Sequence, residues 1–270
     1  MKRTVKLSHS RVSYTVYLPE EKKKDVLTPL VFLHGTNSDG ESSFGQIHPR
    51  FSLNRKVIIP DYAGCGDSTL PCDGITVETL VDQVVAILDD YGVSQVDLVG
   101  HSLGAVVAAA LAGRHPAYVN RLILSSPWCD SDDPRHQLIF GTWKALEESN
   151  TRLSMSFALS HVLSPAFLSQ LGKEMIEKIC HRESAMNTNL RIELGMNIDI
   201  RHYLENIHAR TLVMGMSHDT LIPANMVQDV VSRIKDCEYG EVESGHAVQL
   251  ENPSAWSHEI SSFLNRNIAD

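Results

Sequence analysis

The sequence predicts an α/β protein: a mostly parallel sheet with helices on both faces and a helical segment inserted late in the chain. Three observations carry this. Continuous apolar runs at Leu30-Val31-Phe32-Leu33, Val57-Ile58-Ile59, Val96 to Val99, Leu122-Ile123-Leu124 and Thr211 to Met214 have the form of strands covered on both faces. Helical periodicity lies between them, clearest at Val77 to Leu88 and Ala105 to Arg114. Strand signal then fails from about Asp130 to Glu205, where helical stretches such as Gln137 to Glu148 and Lys173 to His181 stand instead.

In chain order, residues 2–8 and 11–18 alternate in polarity around a break at Ser8 to Ser10, which predicts an antiparallel hairpin at the sheet edge. The parallel series follows. Asp132-Asp133-Pro134 and Ser164-Pro165 punctuate the inserted segment, which at about 70 residues is too long for a loop and is expected to fold as a helical cap. The strand pattern resumes at Arg210, a last strand is expected at Cys237 to Val242, and an amphipathic helix from Pro253 to Asn265 closes the chain.

A chain of 270 residues can bury a full core as one domain with an insertion. The formal net charge of −9 argues against nucleic acid or an anionic membrane as partner. Lys22-Lys23-Lys24 is balanced by Glu20, Glu21 and Asp25, as in a solvated loop. The N-terminus shows no apolar signal segment and no run has membrane-spanning length, so a cytoplasmic protein is expected. Five scattered cysteines without CxxC spacing point to reduced thiols, with neither a disulfide framework nor a zinc site.

The chemistry centres on Gly100-His101-Ser102-Leu103-Gly104, set between the Val96 strand and a small-residue helix. Glycines two before and two after a serine suit a tight strand-to-helix elbow, where neighbouring backbone leaves no room for a Cβ. A serine so presented needs a base and an acid to orient that base. Among thirteen histidines, His246 follows the last strand on the short loop Ser244-Gly245-His246. Asp219 ends the loop after the Thr211 strand and leads into Pro223, so it suits either a triad acid or helix-entry chemistry. Rigid N–H donors must hold the developing oxyanion, each worth roughly 3–4 kcal/mol. Leu103 is the first expected donor; the second is Thr36, with Asn37 as alternative, on the His34-Gly35-Thr36-Asn37 turn. The glycine-bearing Asp61 to Ser68 loop lacks the lysine and spacing of a phosphate loop and is expected to be structural.

The His34-Gly35 loop, Asp61-x-x-Gly64-x-Gly66-x-Ser68, the elbow, and the order Ser102, Asp219, His246 resemble the α/β-hydrolase fold family, over residues 1–130 and 206–270. The resemblance implies an eight-stranded, mostly parallel sheet with its second strand antiparallel, a helical cap, and Ser-Asp-His catalysis without metal or cofactor. The implied domains are a core of residues 1–129 and 206–270 and a cap of residues 130–205. The Arg121 to Pro127 strand end and the segment after it are similar to the branch of enol-lactone hydrolases, small carboxylesterases and aminoacrylate-type hydrolases. Members often carry glycine three residues before the acid; Met216 stands there in this chain, with Gly215 one place earlier, which leaves Asp130 as the alternative acid. Serine at position 102 disfavours dehalogenases and epoxide hydrolases, which attack through a carboxylate.

The expected reaction is hydrolysis of an ester, lactone or thioester of a small to medium apolar substrate through an acyl-enzyme. Cleavage of a carbon–carbon bond beside a ketone and a non-catalytic small-molecule receptor are the alternatives. Trp128, Trp143 and Phe157, with Met155 and Phe167, are the candidate substrate-facing groups, although core packing is the commoner fate of such residues. His161, His181 and His202 show no metal spacing. The only expected partner is the small molecule, bound by a monomer or homodimer.

Overall fold

A computed structural model describes residues 1–8, 10–19 and 27–266; the Lys22 to Lys24 cluster lies outside the described residues. Eight strands form one sheet: β1 (Lys2–Lys6), β2 (Arg11–Tyr17), β3 (Leu27–Leu33), β4 (Arg55–Pro60), β5 (Val96–His101), β6 (Val119–Ser125), β7 (Arg210–Met216) and β8 (Cys237–Val242). Their spatial order is β1-β2-β4-β3-β5-β6-β7-β8. β2 is antiparallel to both β1 and β4, and the other pairs are parallel.

The strand runs are continuously apolar because each strand feeds two cores. Val31 and Leu33 join the core that holds α2 (Val77–Tyr91) and α3 (Leu103–Arg114), while Leu30 and Phe32 join the opposite one. That second core is closed by Phe44 of α1 (Gly40–Phe44) and by Trp256, Ile260 and Phe263 of α11 (Pro253–Asn265). α3 is buried from Leu103 through Ala112 and packs on β3, β5, β6 and α2. A helix covered on every side needs no polar stripe, and its alanines permit the close approach. α9 (Ala224–Arg233) and the short α10 (Val248–Glu251) complete the core helices.

Five helices lie between β6 and β7: α4 (Pro134–Ser149), α5 (Thr151–Val162), α6 (Pro165–Cys180), α7 (Thr188–Gly195) and α8 (Arg201–Leu204). The two punctuation sites are N-caps: Asp133 accepts the His136 N–H before Pro134, and Ser164 accepts the Phe167 N–H before Pro165. α5 is a helix the periodicity did not separate. Asn150 both ends α4 and caps α5, accepting the Leu153 N–H, so no loop composition marks the junction. No helix among the described residues is long and apolar enough to cross a membrane. All five cysteines are free thiols.

Candidate active site

β5 delivers its last residue, His101, directly into Ser102, whose φ of 56° lies in the region that side chains avoid. Crowding enforces the turn. A Cβ on Gly100 would sit 2.2 Å from the Gly104 carbonyl oxygen, and one on Gly104 would sit 2.0 Å from that of Leu33. The Ser102 N–H donates to the Ser125 carbonyl (2.9 Å), which ties the elbow to β6.

Ser102 Oγ lies 2.9 Å from His246 Nε2, and His246 Nδ1 lies 2.7 Å from Asp219 Oδ2. A carboxylate only accepts, so Nδ1 carries the proton and Nε2 is left to accept from the serine hydroxyl. Asp219 Oδ1 accepts the N–H groups of Leu221 (2.9 Å) and Ile222 (2.8 Å). One carboxylate thus contacts both the histidine and the turn into α9. The acid and histidine loops are also joined, by Ser217 N–H to Val242 O and His218 N–H to Ser244 O. Asp130 is engaged elsewhere: it caps the Asp132 N–H, lies beside Cys129 Sγ, and sits 3.7 Å from Arg201.

Ser126 is a contributor that sequence reasoning missed. Its hydroxyl donates to Asp219 Oδ2 (2.9 Å), the same oxygen that faces His246. Its φ of 49° turns the chain after β6 so that the hydroxyl meets the acid, and no local pattern signals a non-glycine residue in that conformation.

Thr36 is buried beside Ser102, and Leu103 is the first residue of α3. Neither N–H has an acceptor among the described residues. The side chain of Asn37 is occupied: its Oδ1 accepts from the Ala185 N–H and the Thr188 hydroxyl, each at 3.0 Å. Beneath, His34 donates from Nδ1 to Gly35 O (2.9 Å) and accepts the Tyr62 N–H at Nε2 (3.2 Å). Burial, then the Arg191 charge, pushes His34 down to about 3, so it stays neutral and holds that tautomer. The Asp61 loop is structural in its contacts. Asp61 accepts from Gly40 N–H and Ser13 Oγ, its carbonyl accepts from Ser68 Oγ, and Gly66 (φ 50°) leaves room for its carboxylate.

A cavity of about 500 Å³ opens over Ser102 and His246. It is lined by Asn37, Ser38 and Asp39 of the turn after β3, by Trp143 of α4, and by Met155, Leu159 and Val162 of α5. Two of the aromatic expectations are corrected. Trp128 is fully buried against His136 and Phe140 and does not line the cavity. Phe157 packs on His161 (4.4 Å between rings) because the cavity-facing row of α5 is Met155, Ala158, Leu159 and Val162, and residue 157 falls on another face. Phe167 belongs to the apolar cluster between α5 and α6, whose outer groove of about 530 Å³ contains none of the reactive groups. Cys129, Asp130 and Asp229 bring ligand atoms within 4.8 Å of one another, a grouping invisible in sequence. Arg201 and Arg233 already offset its carboxylates.

The sequence profile of the alpha/beta hydrolase fold matches residues 28–253. The chain is 31% identical over 265 residues to pyrrolizixenacetamide deacetylase of Xenorhabdus hominickii, covering 96% of this chain and 97% of that protein. Among solved structures it resembles MGS-M2, an alpha/beta hydrolase enzyme from a deep-sea metagenome library, with TM-score 0.87, 19% identity and 99% of each chain covered. It also resembles the enol-lactonase of Burkholderia xenovorans LB400, with TM-score 0.83, 17% identity, and 98% of this chain and 100% of that one covered. A profile match over most of the chain and a near full-length relative agree with the sheet order and the elbow, and the chain belongs to the α/β hydrolase fold family, as an enzyme of hydrolytic function.

Proposed function

We propose that this enzyme is a serine hydrolase that cleaves an ester or amide of a small to medium apolar substrate through an acyl-enzyme on Ser102. The observation that carries the reading is the unbroken relay from Ser102 Oγ to His246 to Asp219, at 2.9 and 2.7 Å, in a mostly apolar cavity. His246 Nε2 takes the hydroxyl proton as Ser102 Oγ attacks the carbonyl carbon. The N–H groups of Thr36 and Leu103 receive the oxyanion, and Asp219, itself steadied by Ser126, Leu221 and Ile222, stabilises the imidazolium. His246 then gives its proton to the departing alcohol or amine. It next activates water, which releases the acid and restores the serine.

Residues 130–205 act as the cap over the two core segments, residues 1–129 and 206–270. Trp143 and the Met155 row of α5 supply its substrate-facing wall. Amides stand beside esters because the near full-length relative is named for deacetylating an acetamide. Para-nitrophenyl acetate and para-nitroacetanilide release chromophores from the same acetyl group and test this directly. The enzyme should hydrolyse at least the ester, with an initial burst and one transient acetyl adduct on the Ser102 peptide. Failure to hydrolyse any of a panel of short-chain esters and anilides, with no adduct by intact mass, would overturn the reading.

A further inference from the structure

Arg191, on α7 of the inserted segment, is buried completely, at 0% exposure. No carboxylate lies within ion-pair distance of it among the described residues. Its acceptors are all neutral. Nε donates to the Thr36 carbonyl (2.6 Å), and Nη2 donates to Met186 O (2.8 Å) and Thr188 Oγ1 (3.3 Å). Nη1 is buried with no hydrogen-bond partner among the described residues. Burying a cation without a counter-charge is costly, and holding one carbonyl would need only a neutral amide side chain.

The same stretch grips the turn after β3 at a further residue, and the loop after β4 as well. The Ala185 N–H and the Thr188 hydroxyl both donate to Asn37 Oδ1, and Asn187, at φ 55°, donates from Nδ2 to Gly64 O (2.9 Å). Thr36 and Asn37 are thereby set by a segment some 150 residues away in sequence. Arg191 does not line the cavity over Ser102.

We infer that Arg191 is a positioning residue of the oxyanion site: its Nε–H holds the Thr36 carbonyl, which fixes the Thr36–Asn37 peptide and through the Thr36 backbone torsions aims the Thr36 N–H at the reacting carbonyl oxygen, and its charge, with no carboxylate paired to it among the described residues, favours the anionic transition state. The inference rests on the proposed acyl transfer at Ser102. It joins seating of the inserted helices to assembly of the oxyanion site. Its effect falls on kcat, because the guanidinium touches the loop and not the substrate.

The test compares wild type with Arg191→Met and Arg191→Lys on para-nitrophenyl acetate, together with inhibition by a boronic acid whose adduct carries the tetrahedral oxyanion. Removing an oxyanion donor outright costs ~10²–10³ in kcat, so a donor misaimed through its support should cost roughly 10- to 100-fold, with KM within about threefold. Arg191→Lys, which keeps the charge and loses the fork, should fall between. Boronic acid affinity should drop in proportion to kcat, per active site counted by titration. Unchanged boronic acid affinity, or a rise in KM at constant kcat, would overturn the inference. If Arg191→Met does not fold, Arg191→Lys decides the question. A wild-type enzyme that neither turns over nor binds the boronic acid would instead refute the acyl-transfer reading itself.

Discussion

Ser102→Ala should lower kcat/KM for para-nitrophenyl acetate by at least ~10⁴-fold while moving the unfolding temperature by no more than about 2 °C. Among the described residues the hydroxyl makes one side-chain hydrogen bond, to His246 Nε2, so its loss removes the nucleophile and little packing. Alanine meets the same φ of 56° that serine already tolerates, so no new backbone strain is introduced. Steady-state kinetics beside a thermal melt make the check. Activity within tenfold of wild type would mean that another group attacks.

Gly104→Ala should be the most destructive single methyl in the chain. The added carbon would lie 2.0 Å from Leu33 O, 2.5 Å from Leu33 C and 2.8 Å from His34 O, all backbone atoms of the strand that carries the Thr36 turn. No rotamer relieves a clash between two main chains, so a loss of roughly 3 kcal/mol or more is expected, or failure to fold. Gly141→Ala is the matched control. It sits in α4 with only Met196 Cε at 3.6 Å from the new carbon, and alanine there should stabilise by about 0.5–1 kcal/mol through helix propensity. Chemical denaturation of both variants checks the pair, and equal stability of the two would show that the elbow tolerates a side chain.

Features with a local cause are legible in the sequence. The parallel strands betray themselves because burial on both faces removes alternation, as at Leu30 to Leu33. The elbow shows because its glycines answer a backbone contact that no other residue permits. Asp219 and His246 stand out as residues that follow strands, and Asp219 reads two ways because its two carboxylate oxygens divide between the histidine and the helix turn.

Features set by distant packing were not legible. Size does not decide which aromatic residues meet the cavity: Trp128, in the loop after β6, is packed on His136 and Phe140, while the rotation of α5 turns Phe157 aside and brings the expected Met155, with Leu159, to the cavity. Ser126 and Arg191 were missed because each acts on a residue far along the chain, at Asp219 and Thr36. Ser126 is marked only by a positive φ and Arg191 only by burial without a counter-charge, and neither property can be read from a side-chain pattern.

The central claim is that Ser102 is a nucleophile made reactive by His246 and Asp219. Incubation with a fluorophosphonate, followed by peptide mapping, measures this without knowledge of the substrate. The account predicts stoichiometric labelling of Ser102 in the native enzyme, and labelling slowed at least ~10³-fold in His246→Ala. Absence of the adduct on Ser102 in folded protein, or a rate indifferent to His246, would contradict it.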